Sequence, residues 1–476
     1  MLFVKMYKER SPEKMKPLTK ARTEQLLTVG NPKRVITTFA LPIFLSQLFQ
    51  QLYNTADAWI VGQYLGKDAL AAVGSSGSLI YLLISFFVGT SMGAGVVVSK
   101  YFGAGDNDSV SRSVHTNVLI SLICGTLLTA VGVLLTPQIL RWMQTDENVL
   151  PQSEAYLFYY FAGALAMVMY NTFKGVLTAV GDSKRPLYYL IISAGLNIFL
   201  DWLFIAVFHG GIEWAAIATT IAQFVSAVLC LLQLLKKGTV YSLSFRKLRI
   251  HGDMLREIIR YGVPTGVQNS VIGFANVLVQ SNINTFRDDA MAACAAYSKI
   301  EGFAFLPITS YSMALTTYIG QNLGAKEYDR AKQGARFGIL TSVIMAELIG
   351  VVTFLAAPWL ISVFNDDPAV VKIGATQCHI EALFFCFLSF SHCIAGICRG
   401  AGKATVPMAV MLSVWCIFRI IYITVAMQLC HDIRLLFCAY PLTWCISSVI
   451  FLIYYLKSDW VHAFDKAENK KITVAT

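Results

Sequence analysis

The chain has 476 residues, of which 56% are hydrophobic and 14% charged, with a mean hydropathy of +0.59 and a formal net charge of +10. A water-soluble globule carries about 25% charged residues. Composition therefore excludes that class and points to a polytopic membrane protein.

The first stretch, MLFVKMYKERSPEKMKPLTKAR, is basic and broken by prolines. It lacks the apolar core and small-residue cleavage site of a secretory leader, so residues 1–34 read as a solvated tail. Twelve apolar blocks follow, at 35–64, 69–99, 114–140, 154–180, 187–209, 212–236, 257–286, 291–320, 332–358, 369–399, 404–430 and 434–457. Each is long enough to cross a hydrocarbon core of about 30 Å. Backbone groups in lipid must pair internally, so the blocks are predicted helices. The short alternating segments of an outer-membrane barrel are missing from the sequence. The predicted fold is all-α, with residues 458–476 as a second tail.

Basic residues set the expected orientation. The first tail holds nine Lys and Arg, and the even-to-odd loops add Lys100, Arg112, Lys184, Arg185, a cluster from Lys236 to Arg260, and Lys326 to Arg336. The opposite loops hold few. Both termini and the 237–256 loop are thus expected on the cytoplasmic side of the membrane. Charge spread along one membrane face argues for the lipid bilayer as a partner and against nucleic acid. The eleven cysteines form no C-x-x-C pair and read as small buried hydrophobes.

The chain overlies itself after a shift of 221 residues. GKDALAAVG (66–74) falls on RDDAMAACA (287–295), and SMGAGVVVSKYFGAGDND (91–108) falls on SMALTTYIGQNLGAKEYD (312–329). Pro42 reaches Pro264 with a shift of 222. The expected architecture is an N-lobe (35–236), the inter-lobe loop (237–256) and a C-lobe (257–457). Six is even, so the halves enter from the same side. Repeats of this kind mark secondary transporters, with substrate between the halves.

What one half keeps and the other loses is not needed for the fold. Asp57 falls on Val279, Asn197 on Phe418 and Asp201 on Tyr422. The N-lobe therefore owns a specialised polar site. Asn197 and Asp201 are four apart on one face of the fifth span. Gln50, Asn54 and Asp57 follow i, i+4, i+7 on the first, and Thr219 or Thr220 of the sixth adds a hydroxyl. No Lys or Arg lies in the core of the fifth or sixth span to pair with Asp201, and Lys174 is the basic candidate in this half. A carboxylate buried in a membrane costs about 2.5–3.5 kcal/mol or more unless neutral, paired or bound to a cation. Two carboxylates with amide and hydroxyl oxygens suit a small cation or protons; a structural clasp between helices is the plainer alternative. The C-lobe carries Glu301, Glu347, His379, Glu381, His392 and Arg419. Arg419 needs a partner, and Glu301 is expected to supply it in a gating or structural pair. Glu381 is expected near the outer interface.

With these residues in place, the chain resembles the multidrug and toxic compound extrusion (MATE) family, nearest its DinF-like bacterial branch, over about residues 30–457. The stretches are LPIFLSQLFQQLYNTADAWIVGQYLGKDALAAVG, FVGTSMGAGVVVSKYFGAGD, AGLNIFLDWLFI, GIEWAAIATT and IGQNLGAKEYDRA. The resemblance implies two six-helix lobes around a V-shaped cleft. It also implies antiport of amphipathic organic cations against Na⁺ or H⁺ by alternating access, with no cofactor and no enzymatic activity, in a chain expected to act as a monomer. Carried onto this sequence, the family's first-helix aspartate is Asp57 and its helix-bending proline Pro42. The fifth-helix Asn-x-x-x-Asp is Asn197 and Asp201, the sixth-helix threonine Thr219, and a fourth-helix tyrosine Tyr156. Asp57, Asn197, Asp201 and Thr219 would hold Na⁺ if sodium is the coupling ion. The NorM-like branch carries a seventh-helix glutamate; GVPTGVQNSVIGF has no acid, so coupling is expected to rest on the N-lobe.

Three strings mislead. RGAGKAT (399–405) resembles a P-loop, but Ala404 follows Lys403 and Ile397 stands where the first glycine belongs. GAGD (103–106) with YD (328–329) suggests an intramembrane aspartyl protease, yet Asp106 and Asp329 fall in hydrophilic loops where turns and helix caps explain them. GTSMG (89–93) is a G-x-x-x-G of the kind that packs helices closely. The remaining rival is a lipid-linked glycan flippase of the same wider superfamily. Such proteins resemble this one but often have about fourteen spans and a basic cleft, whereas this N-lobe cleft is acidic.

Overall fold

The computed structural model describes residues 26–142, 149–286 and 288–466, and every regular element among them is helical. Most of the expected N-terminal tail, and residues 467–476 of the second tail, lie outside the described residues. In chain order the helices are α1 (Pro32–Leu65), α2 (Lys67–Gly103), α3 (Asn107–Trp142), α4 (Leu150–Ala162), α5 (Ala164–Ala179), α6 (Lys184–Asp201), α7 (Ile212–Leu234) and α8 (Gly252–Ile283). There follow α9 (Asp288–Gly324), α10 (Tyr328–Leu355), α11 (Ala357–Ser362), α12 (Pro368–Glu381), α13 (Phe385–Gly400), α14 (Thr405–Met411), α15 (Arg419–Leu429) and α16 (Ile433–Lys457). A π-turn, Trp202–Val207, extends α6, and another, Leu412–Phe418, joins α14 to α15. The short pieces continue one another, and the twelve-helix, two-lobe arrangement expected from the sequence results.

Local chemistry starts several of these helices. The Asn31 side chain accepts from Lys33 N, with Pro32 at the first position of α1. Asp367 caps α12 before Pro368, and Asp432 caps α16. Asp106 accepts from Ser109 N at 3.0 Å at the start of α3, so it is a cap rather than half of a protease dyad.

Among the described residues, eight helical segments are long and apolar enough to cross a membrane on their own. The predicted spans in α4–α5, α8 and α9 fall outside that set, for physical reasons. The fourth span is cut at Gly163 into pieces of 13 and 16 residues. Helices α2, α8 and α9 meet at the junction of the lobes, and they carry small and polar residues for that contact.

Glycines set the junction. A Cβ on Gly93 would stand 2.4 Å from Gly262 Cα, and one on Gly89 would stand 2.7 Å from Gly266 Cα. The GTSMG string therefore meets a second G-x-x-x-G, Gly262 to Gly266, in the other lobe. At the end of α2, a Cβ on Gly103 would lie 2.0 Å from the Gln321 carbonyl oxygen, and one on Gly324 would lie 2.0 Å from that of Lys100. Lys100 Nζ reaches Glu257 Oε2 at 3.4 Å, and Arg112 pairs with Asp253. The lobes are thus joined at the end that carries Lys100 and Arg112.

Gln321 fastens this end. Fully buried, it donates to the Ala179 carbonyl at 2.8 Å and accepts from Leu27 N at 2.9 Å. Gln321→Leu leaves both groups unpaired, at a cost of about 1–3 kcal/mol. The expected result is a lowered thermal unfolding midpoint in detergent; a wild-type midpoint would remove the fastening role.

Candidate functional site

The N-lobe site is assembled by α1, α4, α6 and α7, which pack on one another. Helix α1 passes through buried Pro42, whose ring denies the chain one backbone donor. The Thr38 carbonyl thereby loses its helical donor, and the Pro42 carbonyl additionally accepts from Ser46 Oγ at 2.8 Å. Three turns further on, α1 presents Tyr53 and Asp57.

Asp201 closes α6 and is fully buried. The backbone turns into the π form at Trp202, immediately after it. Such a bulge lets side chains on its two sides point into one space and is common at functional sites. Asn197, one turn earlier, is 1% exposed and donates from Nδ2 to Thr219 Oγ1 at 3.4 Å. Thr220 turns the other way: a Cβ on Gly163 would meet its Oγ1 at 2.2 Å, so the glycine between α4 and α5 makes room for it.

Asp57 and Asp201 are electrostatic neighbours, and buried Tyr156 lies beside both. Four buried oxygens in this site receive no hydrogen bond from another residue's fixed donor: Asp57 Oδ1, Asn197 Oδ1 and both carboxyl oxygens of Asp201, while the Asp57 and Asp201 carboxyls lie within hydrogen-bond reach of each other, so that one proton can bridge them. Buried polar atoms are normally paired, so a cluster of orphaned acceptors fits a cation or protons. The donor set suits that chemistry, being two carboxyls, an amide oxygen and a hydroxyl. Among the described residues no group of three His, Cys, Asp or Glu side chains is gathered, so a transition-metal centre has no counterpart here.

The structure also corrects and extends the expected set. Asn54 is exposed, so the inward face of α1 runs through Gln50, Tyr53 and Asp57. Tyr53 was not anticipated; its hydroxyl accepts from Gln50 Nε2 at 2.7 Å and Gln223 Nε2 at 3.4 Å, and it neighbours both aspartates. Tyr160 joins the pocket beside Tyr156, with ring centroids 6.1 Å apart, and donates to Met167 Sδ. Lys174 is not among the charged neighbours of Asp201. It stands 5.8 Å from the centre of the Tyr170 ring and lines a small space between the lobes with Ser91, Thr316 and Thr317.

In the C-lobe, Glu301 and Arg419 share one cavity, but the expected ion pair between them is not formed. Arg419 donates to Thr443 Oγ1 at 2.7 Å and lies over the Tyr440 ring at 4.6 Å. Glu381 is not an interfacial residue: it is fully buried and accepts from Tyr297 Oη at 3.0 Å and Gln377 Nε2 at 2.9 Å. His379 contacts the Phe354 carbonyl at 3.1 Å, and His392 is wedged between Phe305 and Trp415.

Burial refines the internal repeat at the fifth span. Phe418 is 36% exposed, whereas Arg419 and Ile423 are each 2% exposed. The buried counterparts of Asn197 and Asp201 are therefore Arg419 and Ile423, a shift of 222, as for Pro42 and Pro264. An arginine stands where the N-lobe has an asparagine.

Comparisons with known proteins bear on the family and the fold. The MatE family model matches the chain twice, at residues 42–203 and 264–425. The chain is 27% identical over 435 residues to the "Probable multidrug resistance protein YoeA" of Bacillus subtilis, covering 89% of this chain and 93% of that protein. It is 26% identical to the "Probable multidrug resistance protein NorM" of Thermotoga maritima, covering 80% and 83% of the two chains. It superposes with a TM-score of 0.86 and 21% identity on a multidrug resistance MATE family transporter solved in an outward-facing conformation, covering 92% and 98%.

Proposed function

The chain belongs to the MatE family of membrane transporters, and from that premise we propose that it is an antiporter. It exports amphipathic organic cations and takes up Na⁺ or H⁺ in exchange, across a bacterial cytoplasmic membrane with both termini inside. The observation that carries this reading is the adjacent pair of buried carboxyls, Asp57 and Asp201, within hydrogen-bond reach of each other and, with Asn197 Oδ1, given no donor by the surrounding side chains. Two acids this close and this dry repel when both are charged, and loading by a proton or Na⁺ removes the repulsion. The loaded and empty sites then favour different packings of α1, which already lacks one backbone bond at Pro42. An organic cation near Asp57 is favoured by the empty site, so uptake of the ion and release of the drug are linked in both directions. Aromatic Tyr53, Tyr156 and Tyr160 supply faces for a cation, and Met167 gives the pocket an adaptable wall.

The test is ethidium efflux from proteoliposomes, first with an imposed Na⁺ gradient and then with an imposed proton gradient. Export driven by one of them is expected; retention of the dye under both gradients, repeated with other lipophilic cations, defeats the proposal. Asn197→Ala should weaken the apparent affinity for the coupling ion about 2- to 10-fold while leaving membrane yield unchanged, because it removes one uncharged acceptor worth about 0.5–1.5 kcal/mol. An unchanged ion dependence in that variant would take Asn197 out of the site.

A further inference from the structure

The small space between the lobes beside Lys174 has no part in the proposed exchange. Its volume is about 110 Å³. Lys174 and Thr178 of α5 line it from one lobe and Thr317 of α9 from the other, with Met92, Val96 and Met313 as apolar wall. Pockets for drug-sized molecules measure about 300–1,000 Å³, so this space suits a small guest.

Its free polar groups are all donors. No carboxylate oxygen among the described residues lies within 4.0 Å of Lys174 Nζ, which has only the Tyr170 ring, 5.8 Å away. Thr317 is 7% exposed, yet its hydroxyl bonds to no described residue, and neither does that of Thr178. The neighbouring hydroxyls are spent: Ser91 donates to the Asn171 carbonyl at 3.0 Å and Thr316 to the Ser312 carbonyl at 2.9 Å. Lys174 and Thr178 are four apart, on one face of α5. The fold does not ask for the lysine, because its counterpart in the second half is Ala395 or Gly396 by the two registers. A cation inside a membrane-spanning helix is costly unless it is paired, and the protein supplies no pair.

We infer that this space binds a small, singly charged anion of halide size, held by the Lys174 ammonium and the Thr178 and Thr317 hydroxyls. One ammonium balances one negative charge, which disfavours phosphate. Separate single donors, with no guanidinium fork among them, fit a sphere better than a planar carboxylate. Lys174 and Thr178 belong to the N-lobe and Thr317 to the C-lobe, so the anion ties the lobes together. Gln321, one turn beyond Thr317, already joins the same two helices through the Ala179 carbonyl at 2.8 Å. A ligand bound by both lobes favours the arrangement in which they touch here. The site stands on its own donors, whatever the cleft carries.

Chloride is the probe. The purified full-length protein in detergent is heated at constant sodium concentration and ionic strength while chloride replaces gluconate, which is too large for the space. The wild-type unfolding midpoint should rise with chloride and saturate, and bromide should act in the same way. Lys174→Gln should abolish the response. Thr317→Val should weaken the apparent chloride affinity about 10-fold, the scale of losing a hydrogen bond to a charged group. It is the deciding variant if Lys174→Gln is not recovered folded. A wild-type midpoint indifferent to chloride overturns the assignment. A chloride response that persists unchanged in either folded variant marks an adventitious ion only, and overturns it too.

Discussion

Asp201→Asn is expected to insert at wild-type yield and to lose gradient-driven efflux about 5–150-fold, the span of typical coupling free energies. The substitution keeps size and polarity. It places an amide where the carboxyl now meets Asp57 with no donor fixed between them, and an amide offers that donor, so folding should not suffer. What disappears is the second acid. A site with one carboxyl has no repulsion to relieve, so loading it no longer distinguishes two packings of α1. Substrate binding should survive, since Asp57 and the tyrosines remain. The measurement is efflux in vesicles at matched expression, beside equilibrium binding of the same dye. Wild-type rate with unchanged ion dependence would reduce Asp201 to a clasp between α6 and α7.

Asp201 was legible because the repeat tests it: its counterpart in the second half, Tyr422 by the shift of 221, is not an acid, so the fold alone does not require one there. Tyr53 and Gln223 escaped because a tyrosine and a glutamine in an apolar helix read as core or interface. A signal was nevertheless available. Tyr53 lies four residues before Asp57 and Gln223 four residues after Thr219, so each is one turn from a chosen residue on the same face. The Glu301–Arg419 contact was misjudged for a different reason. A buried arginine needs compensation, and sequence offers only acids as candidates, whereas here a threonine hydroxyl and two aromatic rings surround it. The one-residue ambiguity between shifts of 221 and 222 was also beyond sequence, because either register lays apolar on apolar over most of the repeat. Exposure of Phe418 against burial of Arg419 decides it. Nor do WLFIAV and LSVWCIF announce π-turns; they contain no Gly or Pro, and the bulge follows from packing.

Gly103→Val is the substitution expected to act most strongly outside the site. The position has no room for a side chain: a Cβ would sit 2.0 Å from the Gln321 carbonyl oxygen, and the neighbouring contact of Gly324 with Lys100 is equally close. Both obstructing groups are backbone in long helices, so no rotamer change relieves the contact. Overpacking costs about 1–3 kcal/mol and occasionally more, and here the cost falls only on the arrangement in which α2 and α9 touch. Each lobe's own core is untouched, because the contact joins helices of different lobes. The variant should therefore fold and insert but shift its population toward states in which this end is separated. A penalty of about 3 kcal/mol moves such an equilibrium roughly 150-fold. In the proposed exchange cycle transport passes once through the closed arrangement, so efflux should fall by a similar factor. The direct readout is the distance between probes attached at exposed Asp108 and Glu327, on the two sides of the junction. A longer mean distance than in wild type is expected. An unchanged distance with normal transport would show that the glycine contact does not hold the lobes together.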